Sequence, residues 1–206
     1  VVSLLGGWHG RTAATLACTD GEKYEAGARR AGVPLSRKVA MNDIAALDAA
    51  VDDTIAAVLI EPVQGFNGAR SCSVDFLQAA RRICDERGAR LLFDEVQIGT
   101  GRSGHFTAAE SFGVVPDALS MAKGLASGLP IAAVLAVDSL VDDIRIGDLG
   151  STFGGGPVPC AAALATLDVI DSEDLLANTR RVSAMLMAEA ANLAGVRAVH
   201  GRGFLI

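Results

Sequence analysis

The sequence predicts an α/β fold: a mostly parallel sheet with helices on both faces, truncated at both ends. Two observations carry this expectation. Short β-branched or apolar runs alternate with longer stretches of helical period. Polar or glycine-rich segments follow the apolar runs, and open α/β sheets hold ligands outside the carboxyl ends of their strands. With 206 residues, half of them hydrophobic, the chain can bury one substantial core.

The first strand is expected over 1–5, and the polar stretch 20–37 reads as an exposed loop turning at Pro34. Further strands are expected over 56–60, 90–94, 117–120 and 131–137. Between the second and third, Val74, Leu77, Ala80, Ile83 and Cys84 recur at three- and four-residue steps, with Arg81, Arg82, Asp85 and Glu86 opposite them. That spacing predicts an amphipathic crossover helix ending near Gly88. After Pro159, 160–170 is almost uncharged and predicts a helix buried on most of its surface. A surface helix follows over 174–194, stopped by Gly195. Val196 to Val199 then reads as a strand opening a second domain, so 1–195 is taken as one α/β unit and 196–206 as the start of a smaller C-terminal one. Both ends read as cut, because the chain opens and closes on strand-like runs.

Composition excludes several function classes. The formal net charge of −6 comes without long runs of either sign, so neither nucleic acid nor a membrane surface is expected as a partner. The four cysteines, Cys18, Cys72, Cys84 and Cys160, have no CxxC spacing, and the three histidines do not join them in a metal-ligand pattern. No apolar run reaches the ~18 residues of a membrane span, and no signal peptide is apparent. A cytoplasmic protein with buried free thiols is expected.

Four strand ends carry candidate chemistry: Trp8 to Thr12, Glu61 to Gly65, Asp94 to Gln97, and Ala122 to Gly124. Asp94 closes an apolar strand, where a carboxylate is costly unless something positive meets it. Either a structural salt bridge, a helix cap or a protonated heterocycle nitrogen would serve. Lys123 follows another apolar run and precedes Gly124 and Gly128. Burial there would lower its pKa and leave more free amine to condense with an aldehyde. The 147–156 segment combines Ser151 and Thr152 with glycines just before a helix, a pattern suited to phosphate. His9, His105 and His200 read as packing or surface residues, while Glu61 and Glu95 suit either a polar network around a ligand or structural hydrogen bonds to loops.

Five motifs in register, GGWHGRT, IEPVQG, LLFDEVQIGTGRSG, MAKGL and GSTFGG, make the chain similar to the class III, ornithine- and acetylornithine-type aminotransferases of fold type I. The resemblance covers nearly the whole chain and implies pyridoxal 5'-phosphate as cofactor. It implies Lys123 as the Schiff-base lysine and Asp94 as partner of the pyridine nitrogen. Val96 and Trp8 would flank the ring, Trp8 standing where the family usually has Phe or Tyr, and Gln97 would lie near the phenolic oxygen. Thr152 would reach the phosphate held by a neighbouring subunit, implying a homodimer with shared active sites. Arg11 and Ser151 match substrate-contacting positions.

The implied reaction moves an amino group from a small-molecule donor to a 2-oxo acid such as 2-oxoglutarate. The donor would be acetylornithine-like first, ornithine- or 4-aminobutyrate-like next. An aminomutase, a decarboxylase or an inactive cofactor-free fragment are the alternatives on the same scaffold. One departure bears on the substrate: Phe66 stands where many members carry an acidic residue.

Overall fold

The computed structural model describes residues 1–142 and 144–206. Among the described residues, six strands form one sheet in the order β2-β1-β3-β6-β7-β8. They are β1 (Val2–Leu4), β2 (Arg37–Val39), β3 (Ala57–Ile60), β6 (Arg90–Asp94), β7 (Ala118–Met121) and β8 (Ala133–Ala136). The pairings are parallel except β7 with β8, which is antiparallel. A separate two-stranded hairpin, β4 (Val63–Gln64) with β5 (Arg70–Ser71), follows β3 directly.

Parallel neighbours need crossovers, and helices supply them. Those before β6 are α1 (Ala13–Cys18), α2 (Glu22–Arg30), α3 (Ile44–Ala50) and α4 (Val74–Arg87), with α5 (Ala108–Phe112) between β6 and β7. The α4 helix starts where Ser73 accepts from the Phe76 amide at 3.1 Å and ends at Gly88, whose φ of 69° permits the left-handed cap. Its buried face is Phe76, Leu77, Ala80, Ile83 and Cys84, which joins Val58, Ile60, Leu91 and Phe93 in the core; Leu77, Ala80, Ile83 and Cys84 are as expected, but Val74 at the first helical position is exposed and Phe76 takes its place. A short α6 (Asp138–Val141) follows β8, and α7 (Pro157–Ser172) and α8 (Leu175–Ala191) complete the chain.

Four expectations change. The stretch 20–37 holds α2; it is so polar that Ala28 is its one buried residue, and Arg29 pairs with Glu22 and Glu25 along it. Its apolar positions, Tyr24 and Ala28, share one side but are so few that the charges around them hide the period. The helix read at 160–170 exists as α7, but Ala163 is its one buried residue, and Val158 and Leu164 are two-thirds exposed. An apolar surface is buried only where a second surface meets it, and among the described residues α7 lies mainly against α8 and the 123–126 turn. Residues 196–199 form no strand; Arg202 bridges Leu205 instead. Strand β2, too short and charged to stand out, begins at the last residue of the 20–37 stretch and continues where no element is expected.

The path of the chain decides where a ligand belongs. From β1 it moves to β2 on one side, then returns to place β3 on the other, so connections diverge between β1 and β3. A crevice opens at the carboxyl ends of strands at such a point. Trp8 follows β1 there, and Glu61 follows β3.

Candidate active site

Residues from four strand ends converge. After β1, Gly7 is followed by Trp8 and His9. A side chain at Gly7 would meet the Leu4 carbonyl at 2.9 Å and the His9 ring at 3.1 Å, so only glycine leaves room for the imidazole. His9 Nδ1 lies 2.9 Å from Asp94 Oδ2 and its side chain is almost fully buried. An ionised carboxylate only accepts, so this nitrogen carries the proton that bonds it. His9 Nε2 is buried without a partner among the described residues.

Asp94 ends β6. Its Oδ1 accepts from the Val96 amide at 3.2 Å and from Ser120 Oγ on β7 at 3.3 Å. Among the described residues it has no ion pair with lysine or arginine. The structural alternative is realised by another aspartate, Asp117, which precedes β7: Arg81 reaches it at 2.8 Å and Arg90 at 3.1 Å.

Glu61 is buried at the end of β3. Its Oε2 accepts from the Trp8 amide at 2.7 Å and its Oε1 from Gln97 Nε2 at 3.3 Å. Burial pushes its carboxyl up to about 8, with Asp94 adding to the shift and the Trp8 amide, Lys123 and Gln97 opposing it. A side chain at Gly65 would strike Gln97 Oε1 at 2.2 Å, so that glycine makes space for the Gln97 amide. Glu95, by contrast, is tied off: its two oxygens accept from the Ala108 and Ala109 amides at 2.5 and 2.8 Å and brace α5.

Lys123 begins the turn after β7 with a φ of 49°, a strained conformation for a residue with a side chain. Desolvation lowers its pKa, while Asp94 and Glu61 pull it back up. Three lysines exist in the sequence. Lys38 spends its donors on the Cys18 carbonyl, Ser36 and Ser3, and Lys23 lies beside the Tyr24 ring. Lys123 alone faces the carboxylates of the strand ends.

Trp8 is flanked by Tyr24, edge-on at 4.8 Å, and Phe66 at 5.0 Å, with the Arg11 guanidinium 5.5 Å from its ring centre. These residues line a cavity of about 320 Å³ with Asp20 and Asn67. Val96 is half-buried beside Asp94. Ser151 and Thr152 stand apart: both are exposed, and neither bonds to the Asp94 cluster among the described residues. His9 is the residue that sequence reasoning set aside. Its signal lay in the sheet order, which brings the ends of β1 and β6 to one crevice across β3.

The profile of the class-III aminotransferases matches residues 1–206. The chain belongs to that family. It is 41% identical to acetylornithine aminotransferase 1 of Bordetella bronchiseptica over its whole length, which is 54% of that protein. It is 44% identical to the acetylornithine aminotransferase of Methanocaldococcus jannaschii, with 83% of this chain and 43% of that protein covered. Among solved structures, the ornithine aminotransferase of Toxoplasma gondii superposes with a TM-score of 0.88 at 29% identity, over 98% of this chain and 49% of that one. PLP partly occupies the active site of that protein. This class-III chain thus spans about half the length of the relatives it matches. None of its described helices is long and apolar enough to cross a membrane.

Proposed function

We propose that this chain is the cofactor-carrying part of a pyridoxal-phosphate-dependent aminotransferase that moves an amino group from an acetylornithine-like donor to 2-oxoglutarate. The observation that carries the reading is the meeting of Asp94, free of any lysine or arginine ion pair among the described residues, with a partly desolvated Lys123 at the strand ends.

The residues fit the cofactor by their chemistry. Asp94 offers a carboxylate, oriented by His9 and Ser120, to a protonated ring nitrogen, and Lys123 offers an amine to an aldehyde. Trp8 and Val96 would flank the ring, and Gln97 would bond near its phenolic oxygen. When bound, pyridoxal phosphate supplies an electron sink for the substrate carbanion. Asp94 would hold the proton on the ring nitrogen, and Lys123 would serve as the base that moves a proton between the two carbons that exchange the amino group. Its depressed pKa leaves more of it as the free base that this step needs.

Arg11 would hold a substrate carboxylate, with Ser151 as a second contact. The exposed position of Thr152 suits a role on the phosphate of a second subunit, hence a homodimer with shared sites. Exposed Ile146, Leu149, Phe153 and Val158 around that loop support the same assembly. Residues 1–195 would be the large domain and 196–206 the entry to a smaller one, in a cytoplasmic enzyme. The test is amino transfer from N-acetylornithine, ornithine and 4-aminobutyrate to 2-oxoglutarate by the full-length protein. Glutamate formed with at least one donor supports the reading, and none with any of them refutes it.

A further inference from the structure

We propose that Glu61 is a positioning residue whose single carboxyl ties the Trp8 main chain to the Gln97 side chain and sets which end of the Gln97 amide faces the site. Its consequence for catalysis rests on the aminotransferase reading; the positioning itself does not.

The geometry differs from that of a carboxyl used only to brace the fold. Glu95 places both oxygens on consecutive amides of one helix. Glu61 divides its oxygens between two loops that follow different strands: Oε2 takes the Trp8 amide at 2.7 Å and Oε1 takes Gln97 Nε2 at 3.3 Å. Trp8 leaves β1 and Gln97 leaves β6, so the carboxyl spans the crevice between them. It is 2% exposed, and water cannot substitute freely for either partner.

The proton on this carboxyl decides what Gln97 does. An ionised Glu61 only accepts, so Gln97 must turn its NH2 toward Oε1 and its carbonyl away. A neutral Glu61 has an O–H to donate, and with Oε2 taken by the Trp8 amide a proton on Oε1 favours the flipped Gln97 amide, which presents its carbonyl. The absence of a side chain at Gly65 gives the amide its room. The charged and titratable groups around Glu61 are Asp94 and Lys123 at neighbouring strand ends, and Cys72, whose thiol points at the Glu61 carbonyl at 3.7 Å. Cys72 is pushed up to about 12 and stays neutral through the relevant range. Burial pushes the Glu61 carboxyl up to about 8, so its protonation changes within reach of neutral pH.

Trp8 is the sole tryptophan of the sequence and reports directly on this tie. The experiment is a pH titration of tryptophan fluorescence in the full-length protein without cofactor, read as the difference from its Trp8→Phe variant, with circular dichroism at each pH to follow the fold. A transition with its midpoint near pH 8 is expected, abolished in Glu61→Gln and retained in Cys72→Ala. In Gln97→Met the midpoint should move up, because the lost amide donor favoured the ionised form. No transition in the parent chain, an unchanged one in Glu61→Gln, or an unmoved midpoint in Gln97→Met would overturn the proposal. If Glu61→Gln does not fold, the Gln97→Met shift decides alone. An absence of amino transfer by the full-length protein would refute the aminotransferase reading and leave this transition in place.

Discussion

Two aspartates sit beside neighbouring strands at opposite ends of the same sheet, and their surroundings separate structure from chemistry. Asp117, before β7, is closed off by Arg81 and Arg90 and also accepts from the Leu91 amide at 2.7 Å. Although burial alone would raise it, the Leu91 amide and the two arginines hold its carboxyl below the usual range. Asp94, at the end of β6, meets only an imidazole, a hydroxyl and an amide, with Lys123 acting on it from the next loop. Positive charge is built in beside Asp117; beside Asp94 no arginine or lysine ion pair is built among the described residues, and in the proposed function the cofactor would bring that charge.

The largest effect should come from Asp94→Asn, which keeps the shape and removes the charge. Amino transfer should fall roughly 10²- to 10⁴-fold, the span for losing a group that governs a proton in the reaction. Chemical unfolding should move by less than ~1 kcal/mol. A stability loss with activity preserved would place Asp94 with Asp117.

Asp117→Asn should do the reverse. It leaves Arg81 half-buried beside a neutral group and should cost about 2–3 kcal/mol in denaturant unfolding. Binding of pyridoxal phosphate by the folded fraction should be unchanged.

The pH dependence sharpens the contrast through its sign. Asp117 has a depressed folded pKa, so its contribution is complete above its ordinary value of 3.8 and is lost as pH falls through the lower folded value. Glu61 has a raised one: the unfolded chain releases its proton near 4.5 and the folded chain near 8, so stability declines as pH rises between them. That decline, on the order of a few kcal/mol at most, should vanish in Glu61→Gln, as measured by unfolding at pH 5 and pH 8. The smallest effect belongs to Ser120→Ala, which removes one 3.3 Å bond to Asp94. It should lower amino transfer less than about 10-fold and cost about 1 kcal/mol or less.

Much of this was legible in the sequence because it is carried by local pattern. The run of Leu91, Leu92 and Phe93 ending in Asp94, and the stripe from Leu77 to Cys84, need no distant partner to be recognised. The proposed site residues were singled out by their place after apolar runs together with the motifs of the family. What stayed hidden depends on pairing. His9 reaches Asp94 across 85 positions of sequence, through a strand order that no local period encodes. The exposure of α7 was hidden for the opposite reason: its apolar composition says that it belongs against something, not that this stretch of chain supplies it. The α2 helix is polar on average, and its sparse apolar positions, Tyr24 and Ala28, were too few to stand out among the charges.

The measurement that bears most directly on the central claim is borohydride reduction of the full-length protein with pyridoxal phosphate, followed by peptide mapping. The account predicts a stable pyridoxyl group on Lys123, with none on Lys23 or Lys38 and none in Lys123→Ala. Labelling of another lysine, or persistence of the label in Lys123→Ala, would contradict it.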